Sequence, residues 1–101
     1  MDLIITQEEA GAEITLTAQG RITTSNADTL EKALNEALEK DFDLVILDMF
    51  KVALLTSTGI RVILKTYRAA VSKNKKFQIA SPSEAVRNVL GLSNLELMLV
   101  K

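Results

Sequence analysis

The sequence DLVILDMFKVALLTSTGIRVILKTYR, residues Asp43–Arg68, changes its hydrophobic period part-way along. It opens on the apolar run 44–47, which is short and β-branched enough to predict a buried central strand. A short apolar connection is expected over 49–55. Beyond Thr56-Ser57-Thr58-Gly59 the apolar residues return at helical spacing. The stretch therefore predicts a strand, a loop and a helix, and such junctions lie at the sheet edge where α/β folds tend to place their sites.

The helix of this unit has an apolar stripe and a basic stripe. The residues expected to be buried are Ile60, Ile63, Leu64, Tyr67, Ala70 and Val71. The outer face carries Arg61, Lys65 and Arg68, which are spaced four and three apart and so share one side. Two interpretations of these three cations stay open. They form a solvated face, or they form a docking surface for an acidic or phosphate-bearing partner.

The junction itself combines three hydroxyl residues with a glycine. A helix start leaves backbone N–H groups without partners, and Ser57 could accept from them as an N-cap. The same N–H groups and the helix dipole favour an anion, including a phosphate carried on the serine itself. Gly59 lets the backbone and a partner come close to the neighbouring hydroxyl.

The run Leu54-Leu55-Thr56-Ser57-Thr58-Gly59-Ile60-Arg61-Val62-Ile63-Leu64 resembles the signature of the STAS domain, the fold of bacterial anti-sigma factor antagonists. In that family an apolar strand ending in Asp leads to Asp-Ser-Ser-Gly or Ser-Ser-Ala-Gly, followed by an aliphatic helix. The resemblance implies that a cognate anti-sigma kinase phosphorylates Ser57, with Thr56 and Thr58 as less favoured acceptors. Thr56 replaces the family's frequent aspartate. The resemblance extends over nearly the whole chain, so residues 1–101 are expected to form a single STAS-like domain.

A second family-like segment is Gly20-Arg21-Ile22-Thr23. STAS domains commonly have Gly-x-aliphatic-Asp here, in a loop beside the phosphorylation site, and Thr23 stands where that aspartate would be. A plain strand-to-helix loop explains these residues equally well. The partner-binding residues implied by the resemblance are Thr23, Thr56, Ser57, Thr58, Gly59, Arg61 and Lys65.

The remaining segments predict a mixed sheet. The expected elements are two hairpinned strands, a helix, a further strand, a capped helix and a last edge strand, over Leu3–Ile5, Glu13–Gln19, 25–40, Phe77–Ala80, 81–91 and Leu97–Val100. Ser25 and Ser81 are the expected N-caps, and Gly20 and Gly91 the expected ends of a strand and a helix. This order predicts an α/β domain with a mixed sheet of four to five strands and helices mainly on one face.

Composition excludes several classes of function. The 101 residues have a net charge of −1, which gives no global field for nucleic acid. With neither cysteine nor histidine, thiol catalysis, thiolate metal sites and the commonest general base are absent. No metal site, cofactor or catalytic residue is therefore expected. The start of the chain has no signal-like pattern and no apolar run nears the ~20 residues of a membrane helix, so we expect a cytoplasmic domain without direct membrane insertion.

The resemblance implies a phosphorylation-controlled protein-binding switch, which docks on an anti-sigma factor of the serine-kinase type and so releases a sigma factor. Its partners would be that kinase and a serine phosphatase, and the domain would be a monomer or a weak dimer. An alternative is a constitutive STAS adaptor subunit of a lipid-transport ATPase. A small acid–base enzyme is the weakest hypothesis, because it would depend on Asp28, Asp43 and Asp48, which the sequence gives no reason to pair.

Overall fold

The computed structural model of the chain describes residues 3–92 and 99–100, and side-chain burial for residues 3–88. Within these residues the elements follow the expected order. They are β1 (Leu3–Ala10), β2 (Glu13–Ile22), α1 (Ala27–Glu39), β3 (Leu44–Leu55), α2 (Ser57–Ser72), β4 (Lys76–Ala80), α3 (Glu84–Leu92) and β5 (Leu99–Val100). Residues 97–98 of the expected last strand lie outside the described part of the chain.

The sheet is mixed, as predicted, and its spatial order β1-β2-β3-β4-β5 is the order of the strands along the chain. β1 pairs with β2 in an antiparallel hairpin, whereas β2, β3, β4 and β5 are parallel neighbours. Among the residues that the structure describes, each parallel connection contains one helix and moves one strand further in the same direction. Because such crossovers are right-handed, they bring the helices onto one face of the sheet.

The core lies between this face and the helices. Alternate residues of the parallel strands point into it, as the period of a half-buried strand requires. The strand residues that are at most 1% exposed are Ile14, Leu16, Ala18, Ile22, Val45, Leu47, Met49, Val52 and Ile79. The helices add an apolar stripe that contacts the same cluster through Leu30, Leu34, Leu38, Val62, Ile63 and Val86.

The central strand is longer than predicted, and the expected connection over 49–55 was wrong. β2 and β3 remain paired to their ends, through Gly20 with Val52 and Ile22 with Leu55, so β2 also passes the glycine that was expected to close it. Two register shifts interrupt this ladder. Each shift inserts an extra residue into β3, so buried and exposed residues no longer alternate strictly. That alternation is the pattern by which a strand is identified in a sequence.

Two N-caps and one helix end also differ from the prediction. Asn26, and not Ser25, precedes α1. α3 begins at Glu84, and its cap is Ser83, whose Oγ accepts from the Val86 N–H at 3.2 Å. Both predicted caps lie one or two residues too early, because several residues that favour caps occur in succession at each site. Gly91 lies inside α3 and does not end it.

The buried stripe of α2 is rotated relative to the prediction. Tyr67 and Val71 are exposed, while Gly59, Val62 and Thr66 are buried. A threonine can occupy this buried face because its hydroxyl donates to the Val62 carbonyl oxygen at 2.8 Å. Burial of a polar group that makes a hydrogen bond within its own helix carries little penalty. Four of the six predicted residues, Ile60, Ile63, Leu64 and Ala70, are buried or pack against the core, so hydrophobicity alone was wrong only for Tyr67 and Val71.

Candidate functional site

The predicted site residues meet where β2 and β3 end. Ile22 and Leu55 are register partners at the carboxyl ends of these parallel strands. Thr56, which follows Leu55, donates to the Ile22 carbonyl oxygen from both its backbone N–H at 3.1 Å and its Oγ1 at 3.2 Å. This double contact holds the start of α2 beside the loop 23–26. We call the surface formed by Thr23, Thr24, Thr56, Ser57 and Thr58 the junction surface.

The three hydroxyls of the Thr-Ser-Thr run have different surroundings. Thr56 is the N-cap of α2 in extended conformation, but its side chain makes no capping bond and contacts Ile22 instead. The Thr58 Oγ1 lies 3.0 Å from the Thr24 Oγ1, close enough for a hydrogen bond. Ser57 is exposed, is the first residue of α2, and makes no side-chain hydrogen bond with any other described residue. The expectation that Ser57 could be the N-cap was therefore wrong.

Gly59 determines how closely α2 approaches the strands. It is buried, and a Cβ at this position would lie 2.6 Å from Leu55 Cδ1 and 2.8 Å from Ile22 Cγ2. Separations below 3.0 Å cannot be accommodated without movement of the neighbours. The glycine thus lets the first turn of α2 rest directly on the ends of β2 and β3, and this contact fixes the position of Ser57 two residues earlier.

Sequence reasoning missed Asn26, which organises the neighbouring loop. Only 8% of its surface is exposed. Its Oδ1 accepts from the Thr23 N–H, and its Nδ2 donates to the Arg21 carbonyl oxygen, both at 2.8 Å. Asparagine is a preferred residue at helix starts and in turns, which was the available signal, but Ser25 offered the same signal one residue earlier. The Thr23 Oγ1 lies 3.0 Å from the Ser25 Oγ, so Thr23 lies in this loop and faces its neighbours.

The predicted basic stripe contains one cation that is already paired. The Lys65 Nζ lies 2.7 Å from Glu31 Oε2, so an ion pair joins α2 to α1. Arg61 and Arg68 are exposed and form no ion pair with other residues of the described ranges. Arg61 follows Ser57 by four residues, which places it on the same side of α2 as the serine. The cation closest to the junction surface along the helix is therefore free to meet an outside anion.

Comparison with known proteins assigns the family. The model of the STAS domain family matches residues 4–100, nearly the full length of the chain. The chain belongs to the STAS domain family. No curated protein matches it in sequence.

Solved structures similar to this STAS domain include three of anti-sigma factor antagonists. One from Mycobacterium paratuberculosis has a TM-score of 0.86 at 20% identity, covering 96% of this chain and 82% of that one. Unphosphorylated SpoIIAA has a TM-score of 0.83 at 15% identity, covering 96% and 86%. The phosphorylated form of Bacillus SpoIIAA has 0.77 at 14%, covering 96% and 89%. At these identities the similarity establishes the fold.

The carboxylates considered for catalysis are not brought together as a cluster in this STAS domain. Asp28 lies on α1, Asp43 precedes β3, and Asp48 lies on β3 with its Oδ1 accepting from the Phe50 N–H at 3.0 Å. This contact gives the Asp48 carboxylate a structural role within its own strand. Residues 3–92 contain no group of three or more acidic side chains placed to hold a metal ion. No helix among the described residues is long and apolar enough to cross a membrane.

Proposed function

We propose that this STAS domain is an anti-sigma factor antagonist whose docking on its partner is controlled by phosphorylation of Ser57. The observation that carries the proposal is the difference among the three junction hydroxyls. Those of Thr56 and Thr58 have hydrogen-bonding partners, whereas Ser57 is exposed and unbonded within the described residues. A kinase can reach this hydroxyl without first breaking a protein contact. Similarity to SpoIIAA, solved in unphosphorylated and phosphorylated forms, supports the same role for this fold.

The position of Ser57 makes a phosphate acceptable to the domain. A phosphoserine carries about −1.5 to −2 charges near neutral pH. At the first turn of α2 the helix dipole and the free backbone N–H groups favour that charge. Arg61, one turn further along the same side, adds an exposed cation. Phosphorylation is therefore expected to leave the fold intact.

The same phosphate opposes docking. A partner surface complementary to the neutral serine would have to remove water from a dianion or face it with like charge. If this weakens binding by ~3 kcal/mol, the upper end of ordinary coupling energies, affinity falls about 150-fold. Such a change is large enough to release the partner, which in this proposal is an anti-sigma factor with serine-kinase activity. A serine phosphatase restores the binding form.

The domain is in this proposal a substrate of both enzymes, with no catalytic residue, metal or cofactor of its own. Contact with the partner is made by the junction surface together with the first two turns of α2. Arg61 supplies free positive charge there, and Lys65 adds to it when its ion pair with Glu31 opens. Gly59 contributes indirectly, because it lets α2 lie close to the ends of the strands. Binding should therefore decrease with rising salt.

The deciding experiment is phosphorylation in vitro. The purified protein is incubated with ATP and the serine kinase encoded nearest its gene, and the product is analysed by intact and peptide mass spectrometry. One added phosphate is expected on Ser57, absent in Ser57→Ala and retained in Ser72→Ala, a matched exposed serine at the far end of α2.

Other outcomes have distinct meanings. Modification of Thr56 or Thr58 would keep the switch and move its site. No phosphate from a kinase active on a control substrate, together with a tight kinase-independent partner recovered from cells, would contradict the switch. That result would instead make the domain a constitutive adaptor.

A further inference from the structure

A β-bulge in the central strand turns one aromatic side chain outwards. Thr17 pairs with Asp48 and Gln19 pairs with Lys51, so two steps along β2 correspond to three along β3. The additional residue lies in the segment Met49-Phe50. A bulge leaves this residue outside the regular ladder, and here the Phe50 N–H donates to the Asp48 Oδ1 at 3.0 Å. The side chain of Asp48 therefore stabilises the distorted backbone.

The consequence is an exposed aromatic ring on a fixed backbone. Phe50 is 68% exposed, the largest value among the large hydrophobic residues with described burial, whereas its neighbours Met49 and Val52 are buried. Ser83, which follows β4, also holds this segment of β3. Its N–H donates to the Met49 carbonyl oxygen at 3.2 Å and its Oγ to the Val52 carbonyl oxygen at 2.6 Å. An aromatic side chain on a rigid support loses little entropy on binding, which is why such residues dominate interface energies.

The charges around Phe50 indicate the chemistry of what would cover it. Lys51 follows it on β3, Arg21 lies on β2 opposite Leu54, towards the junction surface, and Arg87 lies one turn into α3 beyond Ser83; all three are exposed. None of these cations has an ion-pair partner within residues 3–92. The acidic residues of the same region are Asp48, whose Oδ1 accepts from the Phe50 amide, and Glu84. The free charge therefore favours an acidic surface.

The bulge lies on β3, the strand that leads directly into the junction surface. From Phe50 to Leu55 the strand advances at most about 17 Å, at ~3.3 Å per residue. A standard interface buries ~800 Å² on each partner, which corresponds to a patch about 30 Å across. One partner can therefore cover Ser57 and Phe50 together.

We propose that Phe50 is a second contact for the partner that docks at Ser57, and that it enters an apolar pocket bordered by carboxylates. The inference rests on the proposed function, because it takes the anti-sigma serine kinase as the occupant. Lys51 then faces the border of the pocket, and Arg21, opposite Leu54, faces the partner between Phe50 and Ser57.

The test measures binding of that kinase to the full chain by calorimetry. Phe50→Ser should weaken binding at least about tenfold, the loss that marks an interface hot spot. Phe50→Tyr, which keeps the ring, should restore most of the affinity, and Lys51→Glu should weaken binding and reduce its salt dependence. Val71→Ser is the matched control, because Val71 is 57% exposed in the last turn of α2, about 21 Å along the helix from Ser57 at ~1.5 Å per residue, and should leave affinity unchanged. Circular dichroism on each variant establishes that it is folded.

The outcomes separate the two proposals. If Ser57→Asp abolishes binding while a folded Phe50→Ser binds as tightly as the wild type, the contact at Phe50 is refuted and the switch stands. If the wild-type chain does not bind the kinase, both proposals fail. If Phe50→Ser converts a dimer to a monomer in sedimentation and leaves kinase affinity unchanged, the ring covers a second copy of this chain and the inference is overturned.

Discussion

The side-chain oxygens of Thr24 and Thr58 lie 3.0 Å apart, so one hydroxyl pair joins the loop after β2 to the first turn of α2. These residues are 34 positions apart in the chain. The contact gives Thr58 a partner that Ser57 lacks, and it holds the two halves of the junction surface at a fixed separation. Loss of either hydroxyl removes the same bond, whichever oxygen is the donor.

If this hydrogen bond contributes to stability, the effects of substituting the two threonines on the free energy of unfolding should not be additive. Valine replaces threonine with nearly the same shape, so Thr24→Val and Thr58→Val should each destabilise the fold slightly. The double variant should lose less than the sum, with a coupling energy of about 0.5–1 kcal/mol, the lower range for a hydrogen bond because the pair is exposed. Urea denaturation of the four proteins measures it. Additivity within about 0.3 kcal/mol would mean that the bond contributes nothing in solution.

Gly59→Ala should destabilise the domain even though alanine favours helices. The new methyl group would lie 2.8 Å from Ile22 Cγ2, and the β-branched side chain of Ile22 cannot rotate away easily. Overpacking costs ~1–3 kcal/mol and the helix gain offsets at most ~1 kcal/mol, so a net loss of about 0.5–2 kcal/mol is expected.

The matched control for Gly59→Ala is Ser57→Ala, in the same turn but exposed. It should change the free energy of unfolding by less than about 0.5 kcal/mol. Thermal denaturation of both variants gives the comparison. An unchanged or raised Tm for Gly59→Ala would contradict the close contact between α2 and the strand ends.

Asn26→Ala should destabilise the domain more than the same substitution at an exposed asparagine. The change leaves the Thr23 N–H and the Arg21 carbonyl without their partners, and each unsatisfied group costs about 1–3 kcal/mol where water cannot replace the bond. Because both hydrogen bonds are only part-buried, water can replace some of what is lost, and we expect the free energy of unfolding to fall by about 1–3 kcal/mol in total. Asn35→Ala, on the exposed side of α1, is the control and should be nearly neutral. Equal effects of the two variants, measured by urea denaturation, would refute the role given to Asn26.

The order of elements and the mixed sheet could be predicted because each parallel strand has a strong local signal. Ile14, Leu16 and Ala18 alternate with polar residues, and all three are buried. The run 44–47 similarly marks the central strand. Such patterns require only that one face of a strand be covered, which holds wherever the strand lies in the sheet.

The details of the site could not be predicted, because they depend on contacts between distant segments. The bulge at Phe50 exists only through pairing with Thr17 and Gln19, and a bulge destroys the alternation that would identify the strand. The different states of the Thr56, Ser57 and Thr58 hydroxyls depend on Ile22 and Thr24, more than thirty residues earlier. The family resemblance pointed to Ser57 as the phosphoacceptor, which stays a prediction, whereas the hydrogen bonds show that its hydroxyl is the unbonded one of the three within the described residues.

The ion pair between Glu31 and Lys65 limits how readily Lys65 can contact a partner, and the final prediction concerns this limit. Its Nζ lies 2.7 Å from Glu31 Oε2, and the pair is partly exposed. Such pairs contribute ~0.2–1 kcal/mol at low salt and little at 1 M salt. Glu31→Gln should therefore lower stability only slightly, but it releases the ammonium group for an acidic partner. Kinase affinity should rise severalfold in Glu31→Gln and fall in Lys65→Met. Lys40→Met, which breaks the longer 3.8 Å pair with Glu9, is the control and should leave kinase affinity unchanged. If Glu31→Gln leaves affinity unchanged at low salt, Lys65 serves only to join α2 to α1 and does not belong to the docking surface.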